Sequence, residues 1–190
     1  MEELITFDER LKQEFLLSDQ RIQLRCLRVE DVHEDYLEWM RNPEVTRYSQ
    51  WRFFTHSLDS LAAYAWNAWN DPNVLFCSIR LVDSERHIGN IKLTLQLNDR
   101  IAEISVLIGA TDCWGKGYAT AAIRMLSDYA LKVLALRKVY AGAYSSNIGS
   151  IRAFEKAGFK IEARFQRHFL TSEGEVDGVY FARFAEPKGS

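Results

Sequence analysis

The stretch Ala102–Ala122, AEISVLIGATDCWGKGYATAA, decides the fold because it joins an apolar strand to an amphipathic helix through a glycine-containing turn. Gly115 and Gly117 let the backbone bend tightly and approach a ligand without a Cβ in the way. The helix that follows points its free N–H groups and the positive end of its dipole at that turn. Lys116 and Thr120 add a charge and a hydroxyl group. The pattern predicts an anion site suited to phosphate, and an ordinary strand–turn–helix with a capping glycine is the alternative.

The sequence on either side of this stretch predicts one mixed α/β domain. Apolar or alternating runs predict strands, helical periodicity predicts helices, and Asp, Asn, Pro and Gly mark the turns. We expect helices at about 30–42, 57–70, 117–134 and 147–157, and strands at 22–28, 74–82, 87–97, 101–108, 138–144, 159–169 and 178–184. Because the middle strands read as antiparallel hairpins, the sheet is expected to be mixed.

Composition and charge place the chain among globular proteins. It has 190 residues, a net charge of −2, 47% hydrophobic and 26% charged residues, which excludes a disordered or fibrous protein. Residues 1–20 are acidic, so we expect a lead-in (a solvated arm or helix) before a single domain over 21–190. The chain lacks the basic excess of a nucleic-acid binder and a run apolar enough to span a bilayer. We therefore expect neither nucleic acid nor membrane as a partner.

The cysteines and histidines give no sign of a metal site or a nucleophilic triad. Cys26, Cys77 and Cys113 lie far apart, without a CxxC motif or a Cys/His cluster, which predicts neither a disulfide frame nor a zinc site. No signal peptide is visible, so a reducing, cytoplasmic compartment is expected. Cys113 is interpreted as a small buried thiol, because no histidine lies near it in sequence.

Two motifs resemble the GNAT acyltransferase superfamily. The turn Trp114-Gly115-Lys116-Gly117-Tyr118-Ala119 is similar to that family's pyrophosphate loop, [QR]-x-x-G-x-[GA], with tryptophan at the first position. The second motif is Asn147-x-x-Ser150-x-x-x-Phe154, followed by EK-x-GF. The string WGKGYAT resembles the branch that contains ribosomal-protein N-terminal acetyltransferases and amino-sugar acetyltransferases. The resemblance covers about residues 21–184 and implies a mixed, mainly antiparallel central sheet with a splayed parallel strand pair, flanked by helices.

The resemblance implies acetyl-CoA as co-substrate and no metal. The strands at 101–108 and 138–144 match the splayed pair, whose exposed edges need a ligand because they lack a neighbouring strand. Asn147 is expected to bind the cofactor or only to cap its helix. The residues expected at the cofactor are Val106, Leu107, Ile108, Trp114, Gly115, Lys116, Gly117, Tyr118, Ala119, Thr120, Asn147 and Phe154.

Acetyl transfer to an amine needs a base that removes the amine proton and a hydrogen-bond donor that stabilises the oxyanion. The departing thiolate must also be protonated or be stable enough to leave. A backbone N–H at 106–108 suits the oxyanion. Glu103 is the expected base, because it is the one carboxylate on an apolar strand and burial would raise its pKa. A salt-bridged carboxylate on the sheet face is the alternative. Ser150 is the expected general acid, because Phe154 occupies the family's usual tyrosine position. Tyr144 is a further candidate acid, although a core tyrosine is favoured.

The resemblance implies that the acceptor lies between the first helices and the last hairpin. Arg47, Tyr48, Arg52 and His168 are the candidate acceptor-binding residues, because arginine binds phosphate or carboxylate and aromatic rings stack on sugars or bases. The function predicted is N-acetylation of a small metabolite, such as a nucleotide-linked amino sugar, by a monomer or homodimer. The alternatives are a protein N-terminal acetyltransferase and a CoA-binding module without turnover.

Overall fold

The computed structural model describes residues 6–186, which form one eight-stranded sheet with helices on both faces. The strands are β1 (Leu16–Ser18), β2 (Ile22–Cys26), β3 (Val74–Leu81), β4 (His87–Gln96), β5 (Ile101–Ile108), β6 (Lys138–Tyr144), β7 (Lys160–Thr171) and β8 (Gly174–Phe184). Their order is β1-β2-β3-β4-β5-β6-β8-β7. Every neighbouring pair is antiparallel except β5 with β6. The expected mixed, mainly antiparallel sheet with one parallel pair is confirmed.

Six α-helices connect or cover the strands in the described part of the chain. They are α1 (Glu9–Glu14), α2 (Glu34–Arg41), α3 (Pro43–Thr46), α4 (Leu58–Asn70), α5 (Tyr118–Asp128) and α6 (Ile148–Lys156). Ser57 begins α4 with a capping box, in which its hydroxyl accepts from the Ser60 N–H and Ser60 Oγ accepts from the Ser57 N–H. Reciprocal capping of this kind explains why the helix begins where the sequence predicts.

Two predicted helices differ from the structure at one end. The helix expected from residue 30 starts as a 3-10 turn at Val29–Asp31, and α2 begins only at Glu34. The Asp31 carboxylate pairs with the Arg25 and Arg80 guanidinium groups at 2.6 and 2.7 Å, which fixes the turn against the sheet. The helix expected over 117–134 ends its α-helical part at Asp128 and continues as a π-helical turn at Tyr129–Val133.

The acidic lead-in contains the expected helix, α1, but from Phe7 onward it packs against the domain and does not form a solvated arm. Phe7 is buried in the core, and β1 pairs with β2 in the same sheet. The Lys12 ammonium donates to the carbonyls of Ala68, Trp69 and Asp71 at 3.0, 2.6 and 2.7 Å, at the end of α4. Burial lowers the pKa of Lys12. The first five residues of the lead-in lie outside the described residues.

The two faces of the sheet carry different helices. On the α4 face, Lys92 of β4 donates to the Tyr64 hydroxyl of α4 at 2.8 Å. On the α5 face, Arg183 of β8 donates to Ser127 of α5 at 2.8 Å, and Phe181 stacks on Phe154 of α6. Within the described residues, no helix is long and apolar enough to cross a membrane.

Candidate active site

The parallel strands β5 and β6 separate after three paired positions. Ile101, Ala102 and Glu103 pair with Lys138, Val139 and Tyr140. Beyond these pairs, β5 stays bound to β4 as far as Ile108, and β6 stays bound to β8 as far as Tyr144. The facing edges at 104–108 and 141–144 therefore open as a V, with no strand of the described chain between them. Backbone groups at such edges need a ligand or water as partner, so the expected splayed pair is confirmed.

The glycine turn stands at the open end of the V. Gly115 and Gly117 have φ of 73° and 82°, the left-handed conformation that favours glycine. Gly117 is the N-cap of α5, and the first helical bond there runs from the Ala121 N–H to the Gly117 carbonyl at 3.1 Å. The N–H groups of Tyr118, Ala119 and Thr120 thus have no intrahelical acceptor. The turn has the form of an anion site at a helix N-terminus.

Two side chains fix the shape of the turn. The Trp114 indole N–H donates to the Ile108 carbonyl at 2.8 Å, across the turn to the end of β5. The Arg21 guanidinium donates to the Lys116 carbonyl at 3.0 Å and lies 5.6 Å from the centre of the Tyr118 ring. The tryptophan that departs from the family's loop pattern therefore has a structural role.

A cavity of about 610 Å³ lies along the V and beneath α2 and α3. The predicted cofactor residues that line it are Val106, Leu107, Ile108, Trp114, Gly115, Ala119, Asn147 and Phe154. Lys116 and Gly117 of the adjoining turn, and Tyr118 and Thr120 at the start of α5, do not line the cavity. Their assignment to the cofactor stays a prediction.

Ser150 and Phe154 share one face of α6 and both line the cavity. Asn147 caps the helix, because its side-chain oxygen accepts from the Ser150 N–H at 3.1 Å, and Asn147 also lines the cavity. Within residues 6–186, the Ser150 hydroxyl has no hydrogen-bond partner of its own. Phe154 is buried, so the position that would carry a tyrosine acid holds only a ring.

Glu103 is exposed, and the expectation that it would be buried is wrong. It lies at the last paired position of β5, on the α4 face, and does not line the cavity. The pKa values of Tyr140 and Tyr180 are raised, first by burial and then by the negative charge of Glu103. Its role as base stays a prediction, and the burial argument for it no longer applies.

The predicted acceptor residues divide into two groups. Arg47 and Tyr48 line the cavity, whereas Arg52 and His168 do not. The Arg52 guanidinium donates to the Tyr144 hydroxyl at 2.9 Å and to the Leu170 carbonyl at 2.7 Å. His168 is exposed and lies 3.0 Å from the Tyr180 hydroxyl. Arg52 therefore joins the segment after α3 to the last hairpin and does not face the cavity.

Tyr144 is a core residue, the interpretation that the sequence favoured over a catalytic acid. It is buried, its ring stacks on Phe169, and its hydroxyl accepts from Gln50 at 3.0 Å and from Arg52. Cys113 is also buried, and burial raises the pKa of its thiol, as expected for a small structural thiol. Among residues 6–186, no His, Cys, Asp and Glu side chains group in a way that could hold a metal ion.

Among the cavity residues that were not predicted, three carry a charged or amide side chain: Glu44, Asn90 and Lys92. Asn90 and Lys92 are alternate residues of β4 on the α4 face, so a polar side at these positions was visible in the alternation of the strand. Their neighbour His87 is buried, and its Nε2 lies 2.9 Å from both the Gly89 carbonyl and Asn90 Oδ1. Burial lowers the pKa of His87 to about 4, so its ring is neutral at pH 7.

A close contact joins the end of β5 to α2. The Trp39 ring packs on Gly109, where a Cβ would lie 2.1 Å from the ring carbon Cδ2. The Gly109 N–H donates to the Ile88 carbonyl at 3.0 Å. Only glycine fits here, because the obstacle is a buried ring and not the end of a flexible side chain.

The chain belongs to the GNAT acetyltransferase family. The acetyltransferase (GNAT) domain profile matches residues 21–160. Alpha/beta-tubulin-N-acetyltransferase 9 of Homo sapiens is 28% identical over 165 residues, which cover 80% of this chain and 78% of that protein. The N-acetyltransferase p20 of Bacillus licheniformis is 29% identical over 170 residues, 86% of this chain and 92% of its own.

A solved structure shares the fold. Spermidine N-acetyltransferase from Vibrio cholerae, in complex with CoA and spermine, superimposes with a TM-score of 0.76 at 22% identity. The match covers 87% of this chain and 96% of that one. The family match makes the protein an acetyltransferase of the GNAT type, and the solved structure shows the same fold.

Proposed function

We propose that the protein transfers the acetyl group of acetyl-CoA directly to the primary amine of a small metabolite, such as a nucleotide-linked amino sugar. The observation that carries this proposal is the V between β5 and β6, which ends at the glycine turn and opens into the cavity. A long thioester with a diphosphate at one end matches both features. The separation of Val106 and Ala143, whose strands are no longer paired, provides room for it.

The main chain would hold the donor. The free N–H groups at the start of α5 and in the turn bind the diphosphate, and the unpaired edges of the V bind the pantetheine amides. The bound thioester supplies an activated acetyl carbonyl. A backbone N–H among Val106, Leu107 and Ile108 stabilises the negative charge that develops on the carbonyl oxygen.

Two side chains would move protons. Ser150, whose hydroxyl is unengaged at the cavity wall, donates a proton to the departing thiolate. Glu103 takes the proton of the acceptor amine through water, because Ser105, two residues or about 7 Å further along β5, is the nearest cavity residue on its face. Glu44 is the rival base, since it is a carboxylate that lines the cavity itself.

The test is incubation of the full chain with acetyl-CoA and three acceptor classes: amino-sugar nucleotides, simple amines and N-terminal peptides. Thiol release measures turnover, and mass spectrometry locates the acetyl group. Acetylated amino sugar is the expected product. Tight acetyl-CoA binding without thiol release for any amine would overturn catalysis and favour a binding module.

The bases can be separated by matched substitutions. Glu103→Gln should lower kcat more than tenfold, about 1.4 kcal/mol of barrier, while Glu155→Gln, an exposed glutamate of α6, should not change it. Full activity of Glu103→Gln with a large loss in Glu44→Gln would move the role of base to Glu44.

Acetylation of a protein N-terminus is the second candidate. It is favoured by the relative named as a tubulin N-acetyltransferase, which aligns over most of both chains. A peptide acceptor would need a cavity that is open to solvent on one side. Acetylation of peptides but never of amino sugars would reverse the order of the two candidates.

A further inference from the structure

Asn90 presents a hydrogen-bond donor that no protein group uses. Its side chain is 5% exposed, and its Oδ1 is 2.9 Å from His87 Nε2. Because the Gly89 carbonyl is also an acceptor at 2.9 Å, His87 Nε2 carries the proton and Asn90 Oδ1 accepts it. The amide is thereby oriented, and its Nδ2 is buried without a partner in the described chain. Asn90 lines the cavity, so a buried donor is available to a ligand there.

His87 is itself held in this tautomer. Its Nδ1 lies 3.4 Å from His33 Nε2 and can accept a hydrogen bond from it. Because burial keeps His87 neutral at pH 7, Nε2 remains a donor and Asn90 Oδ1 remains occupied. The cavity therefore meets the NH₂ side of Asn90 and not its carbonyl side.

Lys92 adds a positive charge two residues along the same strand face. Its ammonium donates to the Tyr64 hydroxyl at 2.8 Å and lies 5.5 Å from the centre of that ring. Across residues 6–186, no carboxylate lies within 4.0 Å of it. Tyr64 is in turn fixed by an edge contact with Trp51, the ring centres 4.8 Å apart. The ammonium is thus positioned but not neutralised.

The charges around the cavity favour an anion at this wall. Glu44 of α3 and Arg47, its C-cap, also line the cavity, and Arg47 already pairs with Glu173 at 2.5 Å. A polyamine would place ammonium groups against Lys92, where like charges repel. An acceptor with an amine at one end and an anion at the other could place its anionic end on the neighbouring donors of Asn90 and Lys92.

We propose that Asn90 and Lys92 form a subsite for an anionic oxygen group, a carboxylate or a phosphate ester, carried by the amine acceptor. The subsite rests on the proposed function, because it selects among the amines that the enzyme would acetylate. It also separates this protein from polyamine acetylation, the activity in the name of its structural neighbour from Vibrio cholerae.

The experiment compares acceptors of similar length on the CoA-loaded full chain. Calorimetry measures binding of 4-aminobutyrate, O-phosphoethanolamine and 1,4-diaminobutane, so turnover is not required. Both anionic amines, or one of them, should bind at least tenfold more tightly than the diamine. The stronger of the two identifies a carboxylate or a phosphate as the group recognised.

Substitutions assign the preference to the two residues. Lys92→Met and Asn90→Leu should each reduce the preference for anionic amines over the diamine about tenfold. Lys92→Glu should reverse this preference. Lys160→Met, an exposed strand lysine of β7, is the matched control and should leave it unchanged. CoA affinity measured on each variant shows that the cavity is still formed.

Three results would overturn the subsite: equal or tighter binding of the diamine, anion binding unchanged in both Lys92→Met and Asn90→Leu, or no anion binding at millimolar concentration. An Asn90→Leu variant that loses CoA affinity instead would assign the amide to the donor and also contradict the subsite. Thiol release from acetyl-CoA, measured separately, tests the proposed function, so the two failures are distinguishable.

Discussion

The two halves of the cavity are built from different materials. The half along the V is formed largely by the main chain of two strand edges, and beside it stands the turn with a helix N-terminus and two glycines of positive φ. The half beneath α2 and α3 is formed by side chains such as Tyr48 and Lys92. Backbone groups bind features that every acetyl-CoA molecule shares, whereas side chains can be exchanged without moving a strand. This division suits an enzyme with a fixed donor and a variable acceptor.

The largest expected effect falls on the main-chain half. Gly117→Val should weaken acetyl-CoA binding about a hundredfold, roughly 2.7 kcal/mol, because valine is strained at a φ of 82° and its side chain would crowd the N–H groups of α5. Calorimetry measures the dissociation constant. Gly174→Val, at a φ of 112° in the β7–β8 turn, is the control for strain alone. Equal acetyl-CoA affinity in Gly117→Val and the native chain would refute a donor site at the turn.

The next largest effect is expected on kcat, at Ser150 of α6, which lines the cavity. Ser150→Ala should lower kcat about fiftyfold, roughly 2.3 kcal/mol of barrier, with little change in acetyl-CoA affinity, because only proton transfer is lost. Steady-state kinetics measure both quantities. Ser146→Ala, an exposed serine just before α6, is the matched control. Unchanged kcat in Ser150→Ala would show that the thiolate leaves without help.

The pH dependence of stability tests whether His87, which orients Asn90 in the side-chain half, is buried and neutral. The folded state holds the pKa of His87 near 4, against about 6.5 when unfolded, so the unfolded chain takes up a proton first as pH falls. The unfolding free energy should therefore drop by about 2 kcal/mol from this group between pH 7 and pH 5, by about 1 kcal/mol more down to pH 4, and level off below about pH 3. Denaturant unfolding of the native chain and of His87→Gln measures the difference. Parallel curves would contradict a neutral buried His87.

The smallest expected effect concerns the hydrogen bonds that Gln50 and Arg52, in the segment after α3, donate to the Tyr144 hydroxyl of β6. Tyr144→Phe leaves the Gln50 and Arg52 donors without their shared acceptor and should cost about 1 kcal/mol of stability. The acceptor KM should rise a few fold, while acetyl-CoA affinity stays constant. Tyr129→Phe is the control, because that hydroxyl has no partner in the described residues. A change in acetyl-CoA affinity would show that the halves are not independent.

The sequence predicted the main-chain half well because its determinants are local. Gly115, Gly117 and the apolar periodicity after them specify a turn and a helix whatever packs around them. The family resemblance supplied the splay, which three register pairs of β5 with β6 confirm. The three residues of β1, Leu16–Ser18, were missed because so short a run shows no alternation.

The side-chain half could not be predicted in the same way, because its residues depend on distant partners. The Arg52 guanidinium donates to the Leu170 carbonyl, 118 residues away in sequence. Glu103 is exposed although it lies on a strand inside the sheet, paired with Tyr140. Lys92 faces a cavity only because α4 places Tyr64 above β4. None of these contacts has a signature within one segment of sequence.

The packing of Trp39 on Gly109 has a consequence for how selectivity can change. Trp39 belongs to α2, whose Tyr36 and Met40 line the acceptor side, while Gly109 directly follows the strand that borders the thioester. A shift of this helix to admit a bulkier amine would therefore drag the end of β5 with it. New specificity is more readily acquired by exchanging side chains on a stationary helix than by moving the helix itself.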